Sequence, residues 1–147
     1  MSLQAYIDRL ERFSACYGVP VLRNPLMPGV MGRVEERCIV LRAGLSLEQQ
    51  LLTLAHELTH LIAHCNASPR PNRTVCEYEA EAVERWVGAE LCIPPYVEDR
   101  LESGVTDDLL ACSVVRVRWA ANTLVSAARG TLAADPVRLQ TQSAVEV

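Results

Sequence analysis

All three histidines of this 147-residue chain fall in one stretch, at positions 56, 60 and 64 of Leu51-Leu-Thr-Leu-Ala-His-Glu-Leu-Thr-His-Leu-Ile-Ala-His64. Residues four apart stand nearly above one another on an α-helix, so His56 and His60 can reach one cation while Glu57 flanks its open side. At about 100° per residue, Thr53, Glu57, His60 and His64 share the quadrant that begins at His56. Leu47, Leu51, Leu54, Ala55, Leu58, Leu61 and Ile62 take the opposite arc, so one face is apolar and the other carries the chemistry. A lone histidine on such a helix is ordinarily a hydrogen-bonded core residue; two at this spacing with a carboxylate between them point to a zinc ion. His64 lies about 12 Å along the axis from His56, at about 1.5 Å per residue, too far for all three to meet one ion. It is read as standing behind the ligands, or as a last-turn residue favoured by the helix dipole.

A metal held by two imidazoles needs a third protein ligand, and the stretch after the histidines supplies candidates. Thr74-Val-Cys-Glu77-Tyr-Glu79-Ala-Glu81-Ala-Val-Glu84 opens a second long helix that Pro94-Pro95 closes. On it Glu77, Glu81 and Glu84 share a face with Ala80, Val87, Gly88 and Leu91, while Glu79 points away with Trp86 and Glu90. Inward carboxylates are costly unless something offsets their desolvation, and a dication does so. Glu77 is read as the third ligand and Glu81, one turn on, as an acceptor that orients a ligand imidazole through its other nitrogen. Thr74-x-x-Glu77 is also a capping box. Should Glu77 serve only to close its own helix start, the ligand is Glu81, with Glu84 and Glu79 as remaining alternatives.

The rest of the chain reads as scaffold. Residues 2 to 17 form an amphipathic helix capped by Ser2 and ended by Gly18, with Leu3, Tyr6, Ile7, Leu10, Phe13 and Tyr17 on one side. Between Val19 and Arg42 the period shortens, and Val19–Arg23, Val30–Val34 and Cys38–Leu41 read as short strands of an antiparallel sheet joined by Pro/Gly turns. These strands are ordinary sheet packing, or the edge one pairs with an extended substrate backbone. Ser46 and Gln49 have capping-box form, which starts the histidine helix at Leu47 and runs it to about Cys65. After a loop over 66–75 and the glutamate helix come short helices at 95–103, 106–112 and 114–128. The polar segment 130–147 reads as a loosely held tail.

With half its residues apolar, the chain can bury a core of its own, so residues 1–129 read as one domain. The net charge of -4 and the absence of any Lys/Arg run exclude a general affinity for nucleic acid or anionic membranes. Met1 to Tyr17 carries Asp8, Arg9, Glu11 and Arg12 and is neither signal peptide nor membrane span, which places the protein in the cytoplasm. The six cysteines are spread out with no CxxC. They read as buried small hydrophobes, with a Cys65–Cys76 bridge as the alternative.

Taken together, Leu54-Ala-His-Glu-Leu-Thr-His-Leu-Ile-Ala-His64, Glu77-Tyr-Glu-Ala-Glu81 and Leu91-Cys-Ile-Pro94 resemble the ImmA/IrrE family of bacterial and phage metallopeptidases. That family's pattern is a HELGH helix with a trailing His, an ExEAN segment and an LLxP helix end. The resemblance is good over residues 35 to 95. It implies an α+β, zincin-like fold with a small sheet packed on the HExxH helix and the glutamate helix, and a C-terminal helical part. It also implies zinc held by His56, His60 and Glu77, Glu57 as catalytic base, and cleavage of a helix-turn-helix repressor that relieves repression. The departures are Thr59 where Gly is usual and Glu81 where Asn or Asp is usual. The family's helix-turn-helix-like zone falls on the short helices between 95 and 128, where Arg116 and Arg118, with Arg129 beyond, are too few for a phosphate footprint and read as packing residues. Tyr78 and Tyr96 are the oxyanion donors that chemistry allows. The rival readings are a non-catalytic zinc-stabilised module that binds a protein partner, and a DNA-binding regulator; the base at Glu57 and the acidic balance oppose them in turn.

Overall fold

Caps decide where the helices of this chain begin. A computed structural model describes residues 1–94 and 112–132. Helix α1 spans Leu3–Cys16, with the Ser2 hydroxyl accepting from the Ala5 amide. Helix α2 spans Leu47–Thr59, and Ser46 and Gln49 close both halves of the expected capping box. It does not stop at Thr59 but continues as one wider turn over His60–His64, closed by the Cys65 amide on the His60 carbonyl at 2.9 Å. Such π-turns recur at functional sites because they shift the side chains that follow. Helix α3 spans Arg73–Glu90, with Asn72 as its cap: the Asn72 side chain accepts from the Val75 amide at 2.9 Å. The Thr74-based capping box does not form, and Glu77 is left to face elsewhere. Helix α4 spans Val114–Arg129; Ser113 caps its start, and Gly130 ends it in the left-handed region at φ 72°.

Three strands, β1 (Val21–Asn24), β2 (Gly32–Val34) and β3 (Ile39–Arg42), form one sheet in the order β1-β3-β2. The sheet is mixed, not antiparallel throughout. β2 and β3 are joined by the tight turn at 35–38 and pair antiparallel, Val34 opposite Ile39. β3 then inserts between its predecessors, so it runs parallel to β1, Val21 opposite Ile39. The two outer strands are joined by the segment 25–31, long enough to span the strand between them. As the middle strand, β3 is buried along Ile39-Val40-Leu41, the continuous apolar run expected of a strand covered on both sides.

Helix α2 is the hub. It packs against α1, α3, α4, β2 and β3. Its apolar arc, Leu51, Leu54, Ala55 and Leu58, is wholly buried among Ile7 and Leu10 of α1, Ile39 and Leu41 of β3, and Val83 and Val87 of α3. Helix α4 closes this core with Leu124 and with Ala120, Ala121 and Ala128, small residues that let two helices approach closely. Burying each leucine contributes about 2 kcal/mol, so the face opposite the histidines clamps α2 in place. No helix among the described residues is long and apolar enough to cross a membrane. The helices expected at 95–103 and 106–112, apart from Cys112, and the tail beyond Leu132 lie outside the described residues.

Candidate metal centre

The antiparallel approach of α2 and α3 brings three donor side chains to one point. Nε2 of His56 lies 3.2 Å from Oε2 of Glu77, and Nε2 of His60 lies 3.1 Å from Oε1 of the same carboxylate. The ligand atoms of His56, His60 and Glu77 all fall within 4.8 Å of one another. Donors about 2.0–2.1 Å from a tetrahedral zinc ion stand about 3.3 Å apart, so the two nitrogen–oxygen separations are close to those around one ion. The donor set fits as well: two imidazoles and a carboxylate leave a fourth position for water. Each histidine turns Nε2 toward this point and Nδ1 away from it.

What meets each Nδ1 sets the ring orientation. Behind His56 stands Glu84, whose Oε2 is 3.2 Å from Nδ1. An ionised carboxylate only accepts, so Nδ1 donates its proton to Glu84, and Nε2 is the nitrogen left to face a metal. Glu84 therefore occupies the place expected of Glu81, which is half-buried on the same helix. Behind His60 stands His64, with its Nδ1 3.0 Å from Nδ1 of His60. His64 thus stands behind His60, and its Nε2 meets Oε1 of Glu79 at 2.9 Å. Glu79 does not point outward with Trp86 and Glu90. It is 1% exposed and also accepts from the Ser113 amide and from Nε and Nη2 of Arg116, at 2.7–2.8 Å. The angular test on α3 could not find it, because the partner that buries that face, α4, lies more than thirty residues further along.

Charge in the site follows from these contacts. Burial works against a protonated His56, but the Glu77 and Glu84 carboxylates outweigh it and raise the imidazole to about 10 in the metal-free chain. Hydrogen bonds from the two imidazoles hold Glu77 far below the usual carboxylate range. Glu57 is 7% exposed, and burial raises its carboxyl although the imidazoles of His56 and His60 pull it down. A carboxyl tuned upward in this way suits a base that must take and return a proton near neutrality. Thr59, in place of the family's usual glycine, is accommodated by bonding its hydroxyl to the Ala55 carbonyl at 2.8 Å.

Glu57, His56, His60 and Glu77 open onto a cleft of about 860 Å³. Its other walls are the segment Gly29–Val34, including β2, and the start of α3 with Arg70, Arg73 and Cys76. Tyr78 is not among the lining residues, and Tyr96 lies outside the described ones. All the described cysteines are free thiols, so no Cys65–Cys76 bridge is present.

A HExxH helix crossed by a glutamate-bearing helix, over a cleft edged by a strand, defines the class of metallopeptidase-like metal centres. The sequence model of the M78 peptidase family, the IrrE N-terminal-like domain, matches residues 15–128, and the chain belongs to that family. Comparison with curated proteins and with solved structures gives no significant match.

Proposed function

We propose that this protein is a zinc-dependent endopeptidase that cleaves a helix-turn-helix repressor. The observation that carries the reading is the convergence of His56, His60 and Glu77 on one point, with Glu57 beside it at the floor of an open cleft. When bound, zinc supplies Lewis acidity, lowering the pKa of water toward about 7 and polarising the scissile carbonyl. Glu57 takes the proton from the attacking water and delivers it to the leaving amine.

The strand β2 supports a peptide as substrate. In its antiparallel pairing Arg33 stands opposite Val40, and the Arg42 amide bonds the Met31 carbonyl. Alternation then turns the backbone groups of Gly32 and Val34 outward, to the side where no described strand pairs. An extended substrate laid there would gain main-chain hydrogen bonds. The Arg42 side chain holds the approach to this edge, donating to the carbonyls of Val30, at 2.8 Å, and Met27. The repressor as target rests on family membership and on the capacity of an open cleft for a protein segment.

Incubation with the product of a neighbouring repressor-like gene, with and without chelator, followed by mass analysis, tests the proposal. Two complementary fragments are expected, lost with chelator. Glu57→Gln should keep its metal and cleave at least about 100-fold more slowly. Cleavage by that variant at the wild-type rate would exclude the hydrolase reading and leave a binding module.

A further inference from the structure

We infer that His64, Glu79 and Arg116 are positioning residues for the ligand His60, and that through them the seating of α4 sets the metal affinity of a site to which α4 supplies no ligand. The inference rests on the metal reading of the His56/His60/Glu77 centre. Its observations lie outside that centre, in a row of hydrogen bonds running from the fourth helix to the back of one ligand.

The row begins at the start of α4. Glu79 accepts from four donors: Nε and Nη2 of Arg116, the Ser113 amide and Nε2 of His64. An ionised carboxylate offers about four lone-pair sites, so all of them are filled. With no proton of its own to give, Glu79 requires His64 to donate from Nε2. One proton then lies between the two Nδ1 atoms of His64 and His60, 3.0 Å apart. A metal at Nε2 of His60 needs that nitrogen bare, which places the shared proton on Nδ1 of His60 and makes His64 the acceptor. His64 is 0% exposed and Glu79 is 1% exposed, so the bond between them is shielded from water.

This support differs in kind from that of His56, which leans directly on Glu84 of the helix that carries Glu77. His60 leans on a partner held from α4. The wider turn at His60–His64 is what sets His64 between His60 and Glu79. Removal of a group that orients a ligand weakens metal binding about 10–100-fold.

The experiment is zinc affinity by chelator competition in the full chain for wild type, Arg116→Gln, Arg116→Lys and Arg129→Gln. Arg129 makes the other α4-to-α3 ion pair, with Glu90 at 3.5 Å, at the far end of α4. Arg116→Gln should lose about 10–100-fold in affinity and shift the visible spectrum of the cobalt-loaded protein. Arg116→Lys should recover part of the loss, and Arg129→Gln should stay near wild type. Equal affinity of Arg116→Gln and wild type, or equal losses in Arg116→Gln and Arg129→Gln, would overturn the inference while leaving the peptidase reading intact. A wild-type chain that binds no zinc would overturn both. Nitrogen-15 spectra of zinc-loaded wild type need no variant to fold: coupling across the His60–His64 Nδ1 pair is expected, and its absence would overturn the inference.

Discussion

Glu84 shows how much of a ligand's behaviour is decided one residue behind it. Its carboxylate 3.2 Å from Nδ1 of His56 fixes the ring and raises its basicity toward a metal. Glu84→Gln keeps the side chain's shape but halves its accepting capacity and removes its charge. The expected result is zinc affinity lowered about 10–100-fold, read by chelator competition. His56, Glu57 and His60 were legible as a trio from spacing alone. Glu84 was harder to find because Glu81 and Glu84 both fall on the correct face of α3, and only the depth of α2 against α3 selects between them.

At the scale of elements, the close approach of β2 to α2 depends on one glycine. A Cβ on Gly32 would stand 2.7 Å from Cγ2 of Thr53, 3.2 Å from the Val40 carbonyl and 3.4 Å from Cγ of Glu57. Gly32→Ala must therefore push the strand off the helix beside Glu57. A stability loss of about 1–3 kcal/mol in denaturant unfolding is expected, together with a fall in cleavage rate and little change in zinc affinity. Adding Thr53→Ser, which removes the clashing methyl, should restore part of both. Helix starts were readable from Ser2 and Ser46 because a cap is a local device. Strand direction was not, since nothing local to Val21–Asn24 says that β3 will come to lie beside it in parallel. The burial of Glu79 escaped for the same reason: α3 has two polar faces, and the second is covered by α4 from far along the chain.

For the whole molecule, Glu79 ties α4 to α3 and to the turn after α2. Burial alone would raise its carboxyl, but His64, Arg116 and the Ser113 amide outweigh that and hold it at about 2, against about 4.3 for a free glutamate. A folded pKa below the unfolded one contributes stability that is complete above about 4.3 and is lost as pH falls from there through about 2. Thermal unfolding of the metal-free chain across this window should show a steeper acid decline in wild type than in Glu79→Gln. The variant should start about 3 kcal/mol less stable at neutral pH, because Arg116 and His64 lose their partner. Parallel curves would show that Glu79 does not join these parts.

The claim on which the rest depends is that α2 and α3 together grip one metal ion through His56, His60 and Glu77. Zinc-edge X-ray absorption on the chain loaded with one equivalent reads this directly. Two imidazole nitrogens and a carboxylate oxygen at about 2.0–2.1 Å are predicted, with the signature lost in His60→Ala. Sulfur neighbours at about 2.3 Å, which would draw Cys65 or Cys76 of the cleft wall into the site, or a failure to bind zinc stoichiometrically, would contradict it.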